Sequence, residues 1–219
     1  MKKCLLFVLF VFAFVRCEKE FDPEQYGSYL DQRDGIEYRT VVIGNQTWLA
    51  ENLRYLPEVV SPVNISDSLR YYYVYDYYGE RVDRAMATTG YKTFGVLYNF
   101  KAAMEACPDG WHLPDSTDWE DLSQYVGINR GSDLRSGTYW ASNDNGSNSS
   151  GFNALPAGCQ EEGKFRDLGS KSAFWSTKIP YPEPGSALVW GFHNSLSRLE
   201  YQPEPKANAY PVRCIKNSR

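Results

Sequence analysis

The chain contains no Cys-x-x-Cys pair and no run of Lys or Arg. The first absence removes a thioredoxin-like dithiol and a zinc ribbon from consideration. The second, with a net charge of −4, removes the basic footprint of a nucleic-acid partner. No internal repeat and no low-complexity tract is found. No apolar run is long enough to span a bilayer as a helix. What is plentiful is aromatic side chain and turn former. Aromatics make up 16% of the chain, Tyr alone accounts for 17 positions, and Gly and Pro together number 29 (17 and 12). Many short strands joined by turns fit this composition better than a helical bundle does.

Residues 1–17 have the layout of an export signal. Lys2 and Lys3 precede a 12-residue apolar run, 4–15, and Cys17 follows. A cysteine closing such a run resembles the lipobox of bacterial lipoproteins, which implies that Cys17 is acylated and anchors the chain. Arg16 stands where that pattern has a small residue. Residues 18–33 are polar, contain Pro23 and Gly27, and read as a tether. Residues 34–217 read as one domain. Export separates the five cysteines. Cys4 leaves with the signal, and Cys17 carries lipid. Cys107, Cys159 and Cys214 enter an oxidising compartment, where one bridge can form and one thiol is left over.

Within the domain, Ile36, Tyr38 and Thr40 alternate with charged residues. Val41, Val42 and Ile43 follow, then the Gly44-Asn45 turn signal, then Thr47, Trp48 and Leu49: a β-hairpin. The stretch 69–82, "LRYYYVYDYYGERV", reads as β-rich up to a turn at Gly79. Residues 98–106 are good helix formers with Pro108 just beyond them. Residues 115–127 form a second helix, with Asp115 as N-cap, Asp118 at N3, Gly127 at the C-terminal end and Trp119, Leu122, Tyr125 and Val126 on one face. A Gly/Ser/Asn-rich loop region covers 129–151. Short β-like pieces follow at 151–158, 164–169, 173–178, 187–192 and 210–216.

Taken in order, "DGIEYRTVVIGNQTWLAENL", "VLYNFKAAMEACPDGWHLPDSTDWEDL", "GFNALPAG", "AFWST" and "YPVRCIK" resemble the Fibrobacter succinogenes major paralogous domain of exported bacterial proteins, over residues 34–217. That family is similar to the C-type lectin-like superfold. "WHLPDSTDWE" is similar to a stretch of the formylglycine-generating sulfatase-modifying enzymes, which share it. The resemblance implies an α+β fold with two helices and short, mixed, mostly antiparallel strands. It also implies a disulfide between Cys107, at the end of the first helix, and Cys214, in the last strand.

Several chemical readings compete at the motifs. Cys107, His112 and Asp115 are the residue types of a thiol nucleophile, its base and an orienter. With Cys107 oxidised by Cys214, the same stretch is a brace, and Asp115 caps a helix. The copper-using formylglycine-generating enzymes place a second cysteine five positions before the last one, where this chain has Ala209. Glu183-Pro184-Gly185 is similar to the Glu-Pro-Asn signature of calcium-dependent lectins. Gly185 lacks the amide oxygen, and no Trp-Asn-Asp follows, so a proline turn is the expectation. Asn143, Asp144 and Asn145 form an oxygen-rich run where a calcium ion would find ligands. No cofactor is otherwise expected. Trp140, Tyr181 and Trp190 lie in or beside the loops 139–153 and 179–190. Those loops are expected to share a shallow groove with the three oxygen-bearing residues.

The expected function is binding or adhesion, without catalysis, by a lipid-anchored protein of the bacterial envelope, at its outer membrane. The expected partner is a glycan or a surface protein. Two alternatives stand beside it: an enzyme or accessory protein acting on envelope or environmental polysaccharide, and a structural subunit of a surface assembly.

Overall fold

A computed structural model describes residues 25–193 and 197–217. The expected signal and Cys17 lie outside them. Thirteen strands are formed: β1 (Tyr26–Leu30), β2 (Glu37–Ile43), β3 (Gln46–Leu49), β4 (Tyr72–Tyr73), β5 (Leu97–Asn99), β6 (Trp111–His112), β7 (Ala157–Glu161), β8 (Lys164–Leu168), β9 (Lys171–Trp175), β10 (Ser186–His193), β11 (Glu200–Pro205), β12 (Ala209–Pro211) and β13 (Ile215–Lys216). They assemble into three sheets with the orders β1-β2-β3-β13-β6, β11-β10-β9 and β4-β5-β12-β7-β8. Every strand pair within these sheets is antiparallel. Five α-helices join them: α1 (Val82–Ala87), α2 (Thr89–Phe94), α3 (Phe100–Ala103), α4 (Ser116–Val126) and α5 (Gly131–Leu134). The class is α+β, with strands dominating.

The expected hairpin is β2 and β3, paired through Ile43↔Gln46 around Gly44, whose φ is 61°. Tyr26–Leu30, inside the segment expected to be a tether, is instead an edge strand paired along all of its length to β2. Side chains alternate across a strand, and here both faces are covered. Leu49 enters one core and Trp48 the other. In β9, Ala173 and Trp175 face the first core while Phe174 faces the second; in β10, Ala187 and Val189 oppose Trp190 and Phe192. The second core is aromatic. Trp119 of α4 stacks on Phe174 at 5.7 Å and on Trp190 at 6.4 Å, and packs against Trp48 at 5.0 Å.

The helix α4 has the expected limits. Asp115 Oδ1 accepts from the Asp118 backbone N–H at 3.0 Å, and Asp118 Oδ2 accepts from the Asp115 N–H at 2.9 Å, a reciprocal capping box. Trp119 and Leu122 are buried, but Tyr125 is exposed. The other expected helix is shorter than residues 98–106, because Leu97–Asn99 is claimed by β4 and β12 on either side. Asn99 then caps α3, its Oδ1 accepting from the Ala102 N–H at 3.0 Å. The tyrosine-rich stretch yields only the two-residue β4, and the six-residue helices α1 and α2 follow it.

The last strands lock the fold. Cys107 is bonded to Cys214, with Cα atoms 5.8 Å apart. Val212 and Cys214 face the first core and Ile215 the second. Between them Arg213 is fully buried. It donates to Leu49 O at 3.1 Å, to Asn52 Oδ1 at 2.8 Å and to Asn153 O at 3.3 Å, and also to Phe152 O. Its guanidinium lies 4.4 Å from the centre of the Phe152 ring. Burial pushes it down to about 9, against the opposing effect of Glu51, so the group is still charged at neutral pH.

Two expectations follow. Asp115→Ala removes the cap and should lower stability by about 0.5–2 kcal/mol in denaturant titrations, with no other change in the far-ultraviolet signature of the fold. The disulfide spans 107 residues of separation, for which the chain-entropy relation gives about 4–5 kcal/mol. Cys214→Ala should lower Tm by many degrees under oxidising conditions. A Tm equal to that of the parent would show that the bridge does not hold the two ends.

Candidate functional site

The stretch 107–115 is a brace in this structure. Cys107 is oxidised and offers no thiolate. The two ring nitrogens of His112 sit against Asn217 Oδ1 at 2.7 Å and Asp118 Oδ2 at 3.2 Å, which ties the last strand to the start of α4. Asp115 is occupied as a cap.

The loop aromatics divide sharply. Trp140 is 5% exposed and donates its indole N–H to Ala154 O at 3.2 Å. Trp190 is 4% exposed, between Trp119 and Tyr201. Both belong to the second core, so neither offers a ring face to a ligand, contrary to the expectation. Tyr181 is 99% exposed. Asn145 Oδ1 accepts from the Trp140 backbone N–H at 3.1 Å and so serves the loop itself. Asn143 and Asp144 close a 3-10 turn, Ala141–Asn143. Glu183 and Gly185 lie in a hairpin turn, where Ser186 N–H donates to Glu183 O at 3.1 Å and Lys206 Nζ to Pro184 O at 2.6 Å.

A groove runs along the first loop. Its polar half, about 280 Å³, is lined by Arg39, Glu51, Asn52, Arg54, Lys92, Thr93, Thr138, Tyr139 and Asn153 among others. A more apolar half, about 520 Å³, is lined by Tyr26, Gly27, Arg39, Ala50, Asn148, Gly151 and Asn153. Arg39 and Asn153 belong to both, so the halves adjoin. None of residues 179–190 lines either half, so the two loops do not share this groove. Arg39 reaches it because it occupies an outward position of β2. Its Nε donates to Glu51 Oε1 at 3.3 Å, and Arg54 lies 3.8 Å from the other oxygen of Glu51. Tyr139 stands at the rim, 59% exposed, its ring edge-on to Phe94 at 5.5 Å.

The loop holds its shape under backbone strain. Tyr139, Ser142, Asn143, Asn148 and Asn153 all have positive φ, between 51° and 71°. Single non-glycine residues of this kind gather at sites where the surroundings over-determine the backbone. Gly146 permits the tight return: a Cβ there would lie 2.3 Å from Arg135 O. The Asn-rich run was legible in the sequence, but the cationic wall was not. Arg39, Arg54 and Lys92 come from β2, the segment after β3 and α2, and no spacing signal connects them.

A second polar cluster lies under β7, β9, β11 and β12. Glu161 Oε1 accepts from Tyr210 at 2.7 Å, from Lys171 Nζ at 3.1 Å and from the Cys159 thiol at 3.1 Å. Lys171 also lies 3.5 Å from Glu204. Burial raises the Cys159 thiol far above its ordinary value, so it stays protonated. Burial likewise acts to raise Glu161, but its donors outweigh this and hold the carboxyl below the usual range. Ligand atoms of Cys159, Glu161 and Asp167 lie within 4.8 Å of one another, the spacing of a metal group. The protein's own donors already fill the shared oxygen of Glu161, and the ammonium of Lys171 is close by. The cluster reads as internal bracing.

No curated protein and no solved structure matches the chain. A family model does match, over residues 41–216, nearly all of the described domain. The chain therefore belongs to the Fibrobacter succinogenes major domain family.

Proposed function

We propose that the protein is a non-catalytic glycan-binding protein of the bacterial envelope and that its ligand lies in the groove beside the loop 139–153. The observation that carries this reading is the adjoining pair of cavities sharing Arg39 and Asn153, with the exposed Tyr139 ring at the rim. Saccharide sites combine a flat ring with convergent amides, hydroxyls and charges. Thr93, Thr138 and Asn153 supply the polar groups here. Glu51 is the one carboxylate in the lining of either half. Hydrolysis of a glycosidic bond ordinarily uses two, which supports binding over catalysis. The left-handed residues supply a preformed loop, which lowers the ordering cost of association.

The bridge from Cys107, beyond α3, to Cys214, just before β13, supports placement in the C-type lectin-like superfold. The lipobox-like cysteine supports a lipid anchor at the outer membrane. Cys17→Ala should release the protein from membranes. A wild-type protein already soluble and lacking acyl groups removes the anchor from this reading.

Screened on a glycan array, the full chain should bind a restricted set of saccharides, and Tyr139→Ala should weaken the best by about 1–3 kcal/mol with Tm unchanged. Tyr181→Ala should leave affinity as it was. The opposite pattern would move the site to the loop 179–190.

A further inference from the structure

The charge of the groove narrows the class of saccharide, given that the groove is a saccharide site. The chain is acidic, at −4. The polar half of the groove has the opposite balance: Arg39, Arg54 and Lys92 stand against Glu51 alone. Glu51 lies between the two arginines and engages both. Arg39 touches it through Nε, and its side chain is 67% exposed. The terminal amino groups of Arg39 make no hydrogen bond among the described residues, and neither does the Lys92 ammonium.

A second observation is independent of these surface groups. Arg213 lies fully buried behind the groove and forms no ion pair among the described residues. Neutral oxygens solvate it: Leu49 O, Phe152 O, Asn153 O and Asn52 Oδ1. Asn52 and Asn153 are also lining residues of the groove. A buried cation with no direct ion pair is costly; Glu51 offsets its charge only from a distance, and its field extends along those two residues to the cavity. A negative group placed there is favoured by both the exposed cations and the buried one, in a setting where water screens less than at an open surface.

We propose that the groove binds a carboxylate-bearing saccharide, such as a stretch of an acidic uronate polymer. Each part of that ligand has a counterpart. The planar guanidinium of Arg39 suits a planar carboxylate, and Arg54, whose Nη2 is held by Glu37 O, adds positive charge beside it. Lys92 supplies a mobile point charge. Thr93, Thr138 and Asn153 suit ring hydroxyls, and Tyr139 offers a flat face to the pyranose. The more apolar half, along Tyr26, Ala50 and Gly151, provides room for a neighbouring sugar unit.

The test uses the purified full-length protein and titration calorimetry with oligogalacturonate. Its comparison ligand is the same oligomer with its carboxyl groups reduced to neutral galactose units. The acid should bind at least about 10-fold tighter, and the advantage should shrink as salt is raised. Arg39→Gln and Lys92→Gln should each weaken the acid by roughly 5-fold, and by more than they weaken the neutral oligomer. Both side chains are exposed, so the fold should tolerate the changes. Arg81→Gln, an exposed cation outside the groove, should leave both ligands unaffected. Equal binding of acid and neutral oligomers overturns the inference while leaving the groove as a saccharide site. Binding of neither, with no array hit, removes the saccharide reading as well. An acid preference unchanged in Arg39→Gln and Lys92→Gln places the recognition elsewhere and overturns the assignment. A sulfated oligosaccharide that displaces the carboxylated one at equal concentration overturns the choice of carboxylate.

Discussion

The burial of one charge organises this molecule. Arg213 lies inside the protein without an ion pair among the described residues, so backbone carbonyls and an amide must solvate it. Those oxygens belong to the end of β3, to Asn52 just beyond it, and to residues 152 and 153 at the end of the long loop. A guanidinium presents its donors in a rigid fork, so these segments can each take only one position around it. Leaving any of the partners out would strand a buried charge, at several kcal/mol. The groove inherits this precision, since two of its lining residues are the same ones that solvate the arginine.

Neighbours of Arg213 in the chain extend the effect. Val212 and Cys214 point to one core, Arg213 and Ile215 to the other. Cys214 reaches Cys107, beyond α3, through sulfur, and Ile215 is paired to both Trp48 and His112. Strands that are covered on both faces make the two cores mechanically dependent. A cavity opened at Trp175 is felt at Phe174 through the same backbone. The Lys171–Glu161–Tyr210 cluster does comparable work with polar groups, joining three strands of two sheets through one oxygen.

Features that depend on neighbours in sequence were the legible ones. The Gly44-Asn45 hairpin and the capped helix α4 could be read because turn and cap chemistry act over two to four residues. The Cys107–Cys214 bridge was legible only through family resemblance. Features decided by distant partners were not. Leu97–Asn99 has helix-compatible composition, yet pairing with β4 and β12 makes it a strand. The tyrosines of residues 71–78 look like a strand, but only Tyr72 and Tyr73 find a ladder. Trp140 and Trp190 sit in and beside glycine- and proline-containing loops that suggest exposure, and hydrogen bonding or stacking takes them inside. Of the groove, the Asn-rich loop could be located, whereas Arg39, Arg54 and Lys92 come together only after the sheets form.

The position of β13 has a temporal consequence. This strand, the last among the described residues, lies between β3 and β6 rather than at an edge. Until residues 213–216 have emerged, the hairpin β2–β3 has an unpaired inner edge, the oxygens around the future guanidinium have no donor, and Cys107 has no partner. The domain therefore cannot close until residues 213–216 are in place. Completion of the sheet, the groove and the covalent bond then falls together, at the docking of this one short segment.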